Sequence, residues 1–435
     1  MRVTPFALML ALLAPVASAQ ETDAAPPPAQ SPQAPASATI ALPVPAADAD
    51  KVPIDEIRRY VGVFRAIKDA YVDPISDQEL MRAALRGLLA DLDPHSAYLE
   101  REGAEQLTEL TTGRYVGIGV ELELRGEREL TVVAPVDGGP AAKAGLHSGD
   151  VIVAIDDHPI VGRDVDTASE GLRGPPGSPV KLRVRRSGTA DPLEFTLVRA
   201  QITVRAVSGR LLEPGYAYIR IGSFQADTGA DLAAQVRKLT DANGARLRGV
   251  LLDLRSNPGG VLASAVASAD VFLDGGLVVR SRGRLATSNA SYRANPGDLI
   301  SGAPIVALID SGTASAAEVL AGALQDHHRA RLVGSRSFGK GSIQSVVPLA
   351  NGDAVKLTTG RYFTPGGHSI QARGLTPDVR LAGDRAAGVR EQDLPRHLAG
   401  SDEAADGYAR GEVHQGDAPI AAALKELKAM VSMRR

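Results

Sequence analysis

The most informative stretch of this 435-residue sequence is PIVALIDSGTASAAEVLAGALQ, at residues 304–325. An apolar run of strand length ends at Ile309 and a helical pattern extends from Ala314 to Gln325, so the stretch predicts a strand–turn–helix unit. Ser315 lies at the predicted helix N-terminus, where unpaired amides such as that of Ala316 and the helix dipole stabilise a developing anion. A serine in this position either attacks a carbonyl beside an oxyanion site or simply caps the helix.

The same arrangement occurs upstream, where an apolar run ending at Asp253 leads into the turn DLRSNPGG and a second helical pattern. Its two glycines, Gly259 and Gly260, allow backbone amides to face a ligand because no Cβ stands in the way. The turn is equally typical of an ordinary βα loop. Repetition of strand, turn and helix predicts an α/β core with parallel strands.

A serine nucleophile needs a base, and the sequence points away from histidine. None of the eight histidines lies in a motif with an acidic partner, and there is no G-x-S-x-G elbow. Lysine can replace histidine when burial lowers its pKa. Lys340, flanked by glycines and followed by an apolar run at 343–349, is the candidate, although a surface lysine fits the local sequence as well.

Two other motifs overlap this lysine. GSRSFGK at 334–340 nearly fits a phosphate-binding P-loop, but Gly341 stands where Ser or Thr must bind magnesium, and a β-like run follows. Ser337 and Lys340 have the S-x-x-K spacing of penicillin-recognising acylases. That motif requires a helix, which the neighbouring glycines disfavour, and no S-D-N or K-T-G follows. Both interpretations are therefore disfavoured.

The segments that precede and follow the predicted α/β core differ from it in residue composition and in hydrophobic pattern. Residues 113–199 contain short β-like runs separated by Gly, Pro and Asp clusters, which predicts a small mainly-β module. Residues 54–89 have helical periodicity, whereas residues 24–50 are rich in Ala and Pro and cannot bury enough apolar surface to fold. An amphipathic helix is predicted from Ile420 to Met430.

The N-terminus predicts export. Arg2 precedes an apolar stretch from Phe6 to Val16, and Ala17-Ser18-Ala19 is typical of a cleavage site that ends a signal peptide. The chain has no cysteine, which excludes thiol catalysis, disulfides and cysteine-linked lipid. A net charge of −3 and 4% aromatic residues provide no basic field or stacking platform for nucleic acid. No H-E-x-x-H motif is present, and we expect neither a metal nor a cofactor.

Taken together, these pieces resemble the carboxyl-terminal processing peptidases, or tail-specific proteases, of the proteobacterial type. The turn at 253–260 resembles the family's D-L-R-x-N-P-G-G loop, TASAAE at 313–318 its nucleophile segment, and GKGSIQ at 339–344 its G-K-G-x-x-Q segment. Further similar motifs are LDPHSAYL at 92–99, AGLHSGDVI at 144–152, RYFTPGGHSI at 361–370, GLTPD at 374–378 and EQDLPRHL at 391–398.

The resemblance implies an α+β multidomain fold. It consists of a helical N-terminal region, a mainly-β PDZ domain, and an α/β serine-protease core with ClpP/crotonase-like strand–turn–helix units. The boundaries that we predict are a signal peptide at 1–19, a linker at 20–52, the helical region at 53–110, the PDZ domain at 111–200, the peptidase core at 201–382 (with part of 53–110), and a tail with a helix at 383–435.

The resemblance also implies roles for individual residues. Ser315 resembles the nucleophile and Lys340 the general base of a Ser/Lys dyad, while Gln344 resembles the residue that holds the lysine. The amides that resemble the family's oxyanion hole are those of Ala316 and of Gly259 or Gly260.

In the PDZ domain, a glycine-containing loop resembles the site that binds a substrate's C-terminal carboxylate while the peptide adds as a strand. Gly119 could instead serve only to shape a β-bulge. The residues that the resemblance assigns to this site are Arg114, Gly117, Ile118, Gly119 and Val120.

The function expected from this resemblance is that of a periplasmic serine endopeptidase that cleaves proteins near their C-termini. Expected partners are proteins or peptides with free C-termini, further copies of the chain in a homo-oligomer and, as in some members, an adaptor lipoprotein; nucleic acid is not among them. A PDZ adaptor without catalysis is the alternative from another class, and the presence of Ser315, Lys340 and Gln344 disfavours it.

Overall fold

The computed structural model describes residues 52–125, 129–160, 170–381, 389–400 and 418–433. The predicted signal peptide lies outside the described residues, as does all of the predicted linker except residue 52. Within the described ranges, no helix has the length and apolar character needed to cross a bilayer.

The described chain begins with helices that expose much of their surface. Helix α1 (Ile54–Ala70) buries none of its residues, and α2 (Asp77–Ala90) buries two. Ser76 begins α2 with a capping box, since its hydroxyl accepts from the Glu79 amide and the Glu79 carboxylate accepts from the Ser76 amide. The short strand β1 (Ala97–Leu99) and helix α3 (Arg101–Thr112) follow.

A mainly-β module with its own apolar core comes next. In its sheet the strand order is β3-β4-β5-β7-β8, with β6 paired to β5, while β2 pairs with β9. Alternation of buried and exposed residues along PVKLRVR in β7 shows that one face of the sheet packs inward. The strands and helix are β2 (Arg114–Gly117), β3 (Val120–Arg125), β4 (Glu129–Pro135), α4 (Pro140–Ala144), β5 (Val151–Ile155), β6 (His158–Pro159), β7 (Pro179–Arg185), β8 (Leu193–Val198) and β9 (Ala200–Thr203).

The larger core is built on a six-stranded sheet with the order β10-β11-β12-β15-β16-β19. Only the β10–β11 pair is antiparallel among these strands. Every residue of the central strands β12 and β15 is buried, as expected for parallel strands covered on both faces. The elements are β10 (Val207–Glu213), β11 (Tyr216–Ile221), α5 (Thr228–Asn243), β12 (Gly249–Asp253), α6 (Leu262–Asp270), β15 (Ile305–Ile309), α7 (Ala316–Asp326), β16 (Ala330–Gly334) and β19 (Val379–Arg380).

A second, antiparallel sheet packs beside the first and joins the N-terminal region to the core. Its order is β1-β18-β13-β14, and β17 also pairs with β18. Residues 97–99 therefore extend the sheet that carries residues 342–348. The remaining elements are β13 (Gly276–Gly283), a 3-10 turn at Ala286–Ser288, β14 (Ala290–Ala294), β17 (Ser342–Pro348), β18 (Ala354–Phe363), a 3-10 turn at Glu391–Asp393, and α8 (Ala418–Met433).

The two faces of the parallel sheet are covered by different helices. Helix α7 is buried at every position from Ala316 to Leu324. Helix α8 covers the opposite face, where Ala423 and Leu427 are fully buried against residues that include Leu251 and Val306. Helices, a mainly-β module and an α/β core confirm the predicted fold class, and α8 extends beyond the predicted helix at both ends.

Candidate active site

Ser315 lies at a strained elbow between β15 and α7. Its φ of 53° and ψ of −117° place a non-glycine residue in a region that costs about 1–3 kcal/mol. The preceding turn is held by Thr313, whose hydroxyl donates to the Leu254 carbonyl at 2.8 Å and accepts from the Asp310 amide at 3.0 Å. The surrounding structure thus fixes Ser315, which is 8% exposed, at the end of a buried strand.

The DLRSNPGG turn lies directly against this elbow. A Cβ added to Gly259 would lie 2.7 Å from the Ser315 Cβ and 2.9 Å from the Ala316 nitrogen. Gly259 also has a φ of +96°, which glycine adopts without strain. The Ala314 amide donates to the Asn257 carbonyl at 2.9 Å and ties the two turns together. Glycine is therefore required at position 259 for both its conformation and its size.

The structure distinguishes between the two glycine amides proposed for an oxyanion site. The Gly259 amide donates to the Asn257 side-chain oxygen at 2.9 Å and is already satisfied. In the bridge to Phe224, the bonds use the Gly259 carbonyl and the Val261 amide, so the Gly260 amide faces the other way. Among the described residues, the amides of Gly260 and Ala316 have no hydrogen-bond acceptor, which leaves this pair available to an oxyanion.

Lys340 follows β16 and precedes β17, and it is partly buried. Burial lowers the pKa of its ammonium group, and the nearby Lys356 lowers it further. Carboxylates of Glu391, Glu318 and Asp93 act in the opposite direction, but the net shift of the Lys340 pKa is downward. A lysine with a lowered pKa has a larger neutral fraction and can accept a proton.

One buried carboxylate connects the two candidate residues. Glu318 is fully buried, and its Oε2 accepts hydrogen bonds from the amides of Ser315 at 2.8 Å and Lys340 at 2.9 Å. Its Oε1 accepts from the Gly339 amide at 2.8 Å and the Ser337 hydroxyl at 2.5 Å. The backbones of Ser315 and Lys340 are therefore held by the same oxygen atom.

Burial raises the pKa of Glu318 to about 7, and the four hydrogen bonds to the carboxylate oppose this rise. Three of the four donors are backbone amides, which can only donate. The Ser337 hydroxyl is therefore the one donor of the four that can instead accept a hydrogen bond when Glu318 is protonated. The role of Glu318 was not part of the sequence prediction. Its spacing of three residues from Ser315, typical of a capping box, was the available signal.

Gln344 lies near the start of β17, shortly after the loop that carries Lys340. Its side-chain nitrogen donates to the hydroxyls of Ser342 at 2.9 Å and Thr358 at 3.3 Å. Within the part of the chain that the structure describes, no donor reaches its side-chain oxygen, which is therefore available to accept from Lys340.

The LDPHSAYL motif packs next to these residues and is linked to Gln344 through Thr358. Asp93 is 3% exposed and accepts hydrogen bonds from the amides of His95 and Ser96 and from the hydroxyls of Ser96 and Thr358. Burial alone would raise the pKa of Asp93, but these hydrogen bonds outweigh it and hold the pKa below its usual value. Thr358 links this network to Gln344. The sequence prediction assigned no role to Asp93.

The proposed carboxylate-binding loop of the β module joins β2 to β3. The Ile118 and Gly119 carbonyls accept from the amides of Ala141 and Val136, both at 2.9 Å. The amides of Ile118 and Gly119 have no partner among the described residues. Gly119 has a φ of +74°, and Ile118 is buried in the module core, so the loop is held rigidly.

The other residues predicted for this site flank the loop. Gly117 ends β2 and is buried, and Val120 opens β3 opposite Pro135. Arg114 begins β2, and its guanidinium donates to the Asp227 carboxylate at 2.9 Å in an exposed ion pair with the core.

The structure also bears on the two disfavoured motifs. Ser337 is fully buried, and its hydroxyl both donates to Glu318 and accepts from the Leu375 amide at 2.6 Å, so it cannot reach a penicillin. The residues after Lys340 form β17 rather than the helix that a P-loop requires.

Comparisons with known proteins point to one family of peptidases. Residues 215–381 match the model of peptidase family S41, and residues 131–186 match a PDZ domain. The chain is 40% identical to a carboxy-terminal-processing protease of Bartonella bacilliformis over 80% of this chain and 78% of the relative. It is 38% identical to a carboxyl-terminal-processing protease of Synechocystis sp. over 72% of this chain and 74% of the relative.

The fold is likewise similar to a solved structure from Bacteroides fragilis that is assigned to the S41 proteases. The TM-score is 0.50 at 17% identity, and the match covers 85% of this chain and 97% of the other. This likeness supports the fold alone, whereas the relatives of higher identity establish the kind of enzyme.

Proposed function

This chain belongs to peptidase family S41 as a serine-type C-terminal processing peptidase, and from that membership we propose that it cleaves substrates with a Ser315/Lys340 dyad. The observation that carries the assignment is the Glu318 oxygen that accepts from the amides of both residues. A shared acceptor fixes the relative position of two backbones that are 25 residues apart in sequence.

In the proposed reaction, neutral Lys340 accepts the hydroxyl proton of Ser315 as the serine oxygen attacks a peptide carbonyl. The lysine then gives this proton to the amine that leaves, which forms an acyl-enzyme. Water, deprotonated by the same lysine, hydrolyses the ester and regenerates Ser315. The side-chain oxygen of Gln344 holds the Lys340 ammonium group in line with the serine.

The tetrahedral oxyanion forms against the amides of Ala316 and Gly260, each contributing about 3 kcal/mol to transition-state stabilisation. Gly259 leaves room for the substrate carbonyl because it has no Cβ. The absence of any acceptor for these two amides among the described residues supports this assignment.

Substrate tails bind to the β module by adding as a strand beside β3, with the terminal carboxylate on the amides of Ile118 and Gly119. The flanking Gly117 and Val120 set the loop's conformation, and Arg114 supplies positive charge that Asp227 partly neutralises. Amidation of a substrate's C-terminus should weaken its cleavage. Equal rates for free-acid and amidated substrates would exclude this part of the proposal.

We further propose that the enzyme is exported to the periplasm, where it acts as a homo-oligomer and with an adaptor lipoprotein. The signal-peptide pattern supports export, and the apolar residues that α1 exposes support association with another chain. N-terminal sequencing of the periplasmic protein should begin at Gln20. If light scattering gives the mass of one chain both without and with added membrane lipoproteins, the proposed assembly is contradicted.

The central test compares the mature enzyme with Ser315→Ala and Lys340→Ala on an unstructured protein substrate, with products identified by mass spectrometry. Loss of any member of such a catalytic set is expected to lower kcat by roughly 10⁴-fold or more while the circular dichroism spectrum is unchanged. Ser311→Ala, in the same turn, is the matched control and should remain active. Substantial cleavage by either variant would show that the dyad is wrong.

A further inference from the structure

The segment that follows the peptidase core returns to the base loop at residues 337–341. The Glu391 amide donates to the Phe338 carbonyl at 3.2 Å, and the Arg390 guanidinium donates to the Ser337 carbonyl at 3.4 Å. Glu391 is fully buried there. These contacts bring a second buried carboxylate to the loop, from a part of the chain beyond the S41 match at 215–381.

Both oxygens of this carboxylate are engaged. Oε2 of Glu391 lies 2.8 Å from Nε2 of His95, which comes from the LDPHSAYL motif. Oε1 accepts from the side-chain nitrogen of Gln371 at 2.8 Å. A buried carboxylate is retained at a considerable desolvation penalty, and it is tolerated only where such partners satisfy it.

Gln371 carries the connection to the base. It is fully buried, and its side-chain oxygen accepts from the amide of Gly341, the residue after Lys340, at 3.1 Å. A Cβ on Gly341 would lie 2.3 Å from the Gln371 nitrogen, so the two backbones are in close contact. Lys340 is therefore held on one side by Glu318 and on the other by Gln371 and Glu391.

The same carboxylate contributes to the charge around the base. Asp93 from the loop before β1, Glu318 from α7 and Glu391 favour the ammonium form of Lys340, and Lys356 from β18 disfavours it. His95 and Arg390 face Glu391 and the base loop, respectively, and their positive charge opposes the carboxylates when it is present. Removing Glu391's charge must therefore change the proton affinity of Lys340.

We infer that Glu391 is a positioning residue for Lys340, which it holds through Gln371 and Gly341, with His95 as its partner. The inference rests on the proposed role of Lys340 as the base. In this arrangement the loop at 92–96, which precedes the β module, and the segment at 389–398, which follows the peptidase core, meet beside the loop that carries Lys340.

The test is the pH dependence of kcat/KM in Glu391→Gln, because its acid limb reports the pKa of the base in the free enzyme. The glutamine keeps the volume but loses the charge, so the Lys340 pKa should fall and the limb should move to lower pH by about 0.5–1 unit. With one carboxylate oxygen replaced, kcat should drop about tenfold and KM should change less than threefold. Glu391→Asp keeps the charge and should return the limb towards its original position.

Matched variants separate charge from position. His95→Gln keeps the Glu391 charge, so its limb should not move to lower pH. Gln371→Met breaks the connection to Gly341, so kcat should fall without movement of the limb, and this variant also tests the inference if Glu391→Gln does not fold. Glu105→Gln, at an exposed position of α3, is the control and should match the wild type.

An unmoved limb in a folded Glu391→Gln enzyme, or full kcat in Gln371→Met, would overturn the inference. Either result with Lys340→Ala still inactive would leave the dyad intact. Activity in Lys340→Ala would instead overturn the dyad itself, so the two failures can be told apart.

Discussion

The proposed nucleophile and the proposed base of this enzyme are held in place in different ways. Ser315 is fixed by elements that belong to one parallel sheet within the peptidase core: the turn at 253–260, strand β15 and helix α7. Lys340 is held by groups from distant parts of the chain, since Asp93 lies before the β module and Glu391 lies after the peptidase core. Glu318 contacts both sides, through the amides of Ser315 and Lys340.

This difference separates two kinds of stability. The elbow at Ser315 should stay folded as long as the parallel sheet does, because it is held by the buried strands β12 and β15. The base loop also needs two outlying segments to stay docked, and such segments open locally at lower free energy than core strands. Under mildly denaturing conditions, we therefore expect Lys340 to lose its position, and activity to fall, before the core unfolds.

The largest effect is expected from Gly259→Ala, which breaks only the nucleophile side. The new Cβ would press on Ser315 and the Ala316 amide, so kcat should fall about 10²–10³-fold, as when an oxyanion donor is removed. Gly244→Ala is the matched control, because Gly244 also has a positive φ but has no atom near its Cβ position. Steady-state kinetics would check both, and equal losses would show that backbone strain alone is responsible.

Glu318→Gln should affect both sides, with a loss in kcat of about 10²-fold, because the side-chain nitrogen of glutamine only donates and leaves the two donors to one of the Glu318 oxygens without an acceptor. The folded-state pKa of about 7 lies above the ordinary value of 4.5, so the folded protein holds this proton more tightly than the unfolded chain. The wild-type free energy of unfolding should therefore fall as pH rises from 4.5 to 7. Urea titrations at several pH values should show a flatter profile for the variant; parallel profiles would contradict the assigned pKa.

Asp93→Asn weakens only the base side. An asparagine oxygen cannot accept all four hydrogen bonds of Asp93, so we expect about 1–3 kcal/mol lower stability and about a tenfold lower kcat. Because the Asp93 pKa is lowered, its stabilisation is present above the ordinary value of 3.8 and is lost as pH falls through the folded pKa. In the variant, the free energy of unfolding should lack the part that the Asp93 carboxylate contributes and should fall less steeply in acid. An acid dependence of stability identical to that of the wild type would be evidence against this prediction.

The smallest effect should come from Arg114 and Asp227, which lie outside both sides. If Arg114 serves the carboxylate site, Arg114→Ala should weaken and Asp227→Ala should strengthen binding of free-acid peptides, each by about two- to threefold, since exposed ion pairs contribute little. Fluorescence titration with free-acid and amidated peptides would measure this. Changes in the same direction would indicate that the pair only joins the β module to the core.

The sequence predicted the nucleophile side better than the base side, and the reason is physical. Strand, turn and helix around Ser315 are consecutive, so periodicity and turn residues were sufficient to predict the elbow and its glycine neighbours. The choice of Gly260 over Gly259 depended on a hydrogen bond from the Gly259 amide to Asn257, which no pattern predicts. The supports of Lys340 depend on pairing between segments more than 250 residues apart, so Asp93 was missed.

The attachment of the base to the last part of the chain has a consequence for biosynthesis. In the export that we propose, a chain threaded through the membrane from its N-terminus delivers the whole Ser315 elbow before it delivers Glu391. Full proteolytic activity would then arrive only after the peptidase core has emerged, so a partly translocated chain would attack the export machinery or its neighbours more slowly than the complete enzyme. A stalled chain that has exposed residues up to 381 is expected to cleave a peptide at least about tenfold more slowly than the released chain does.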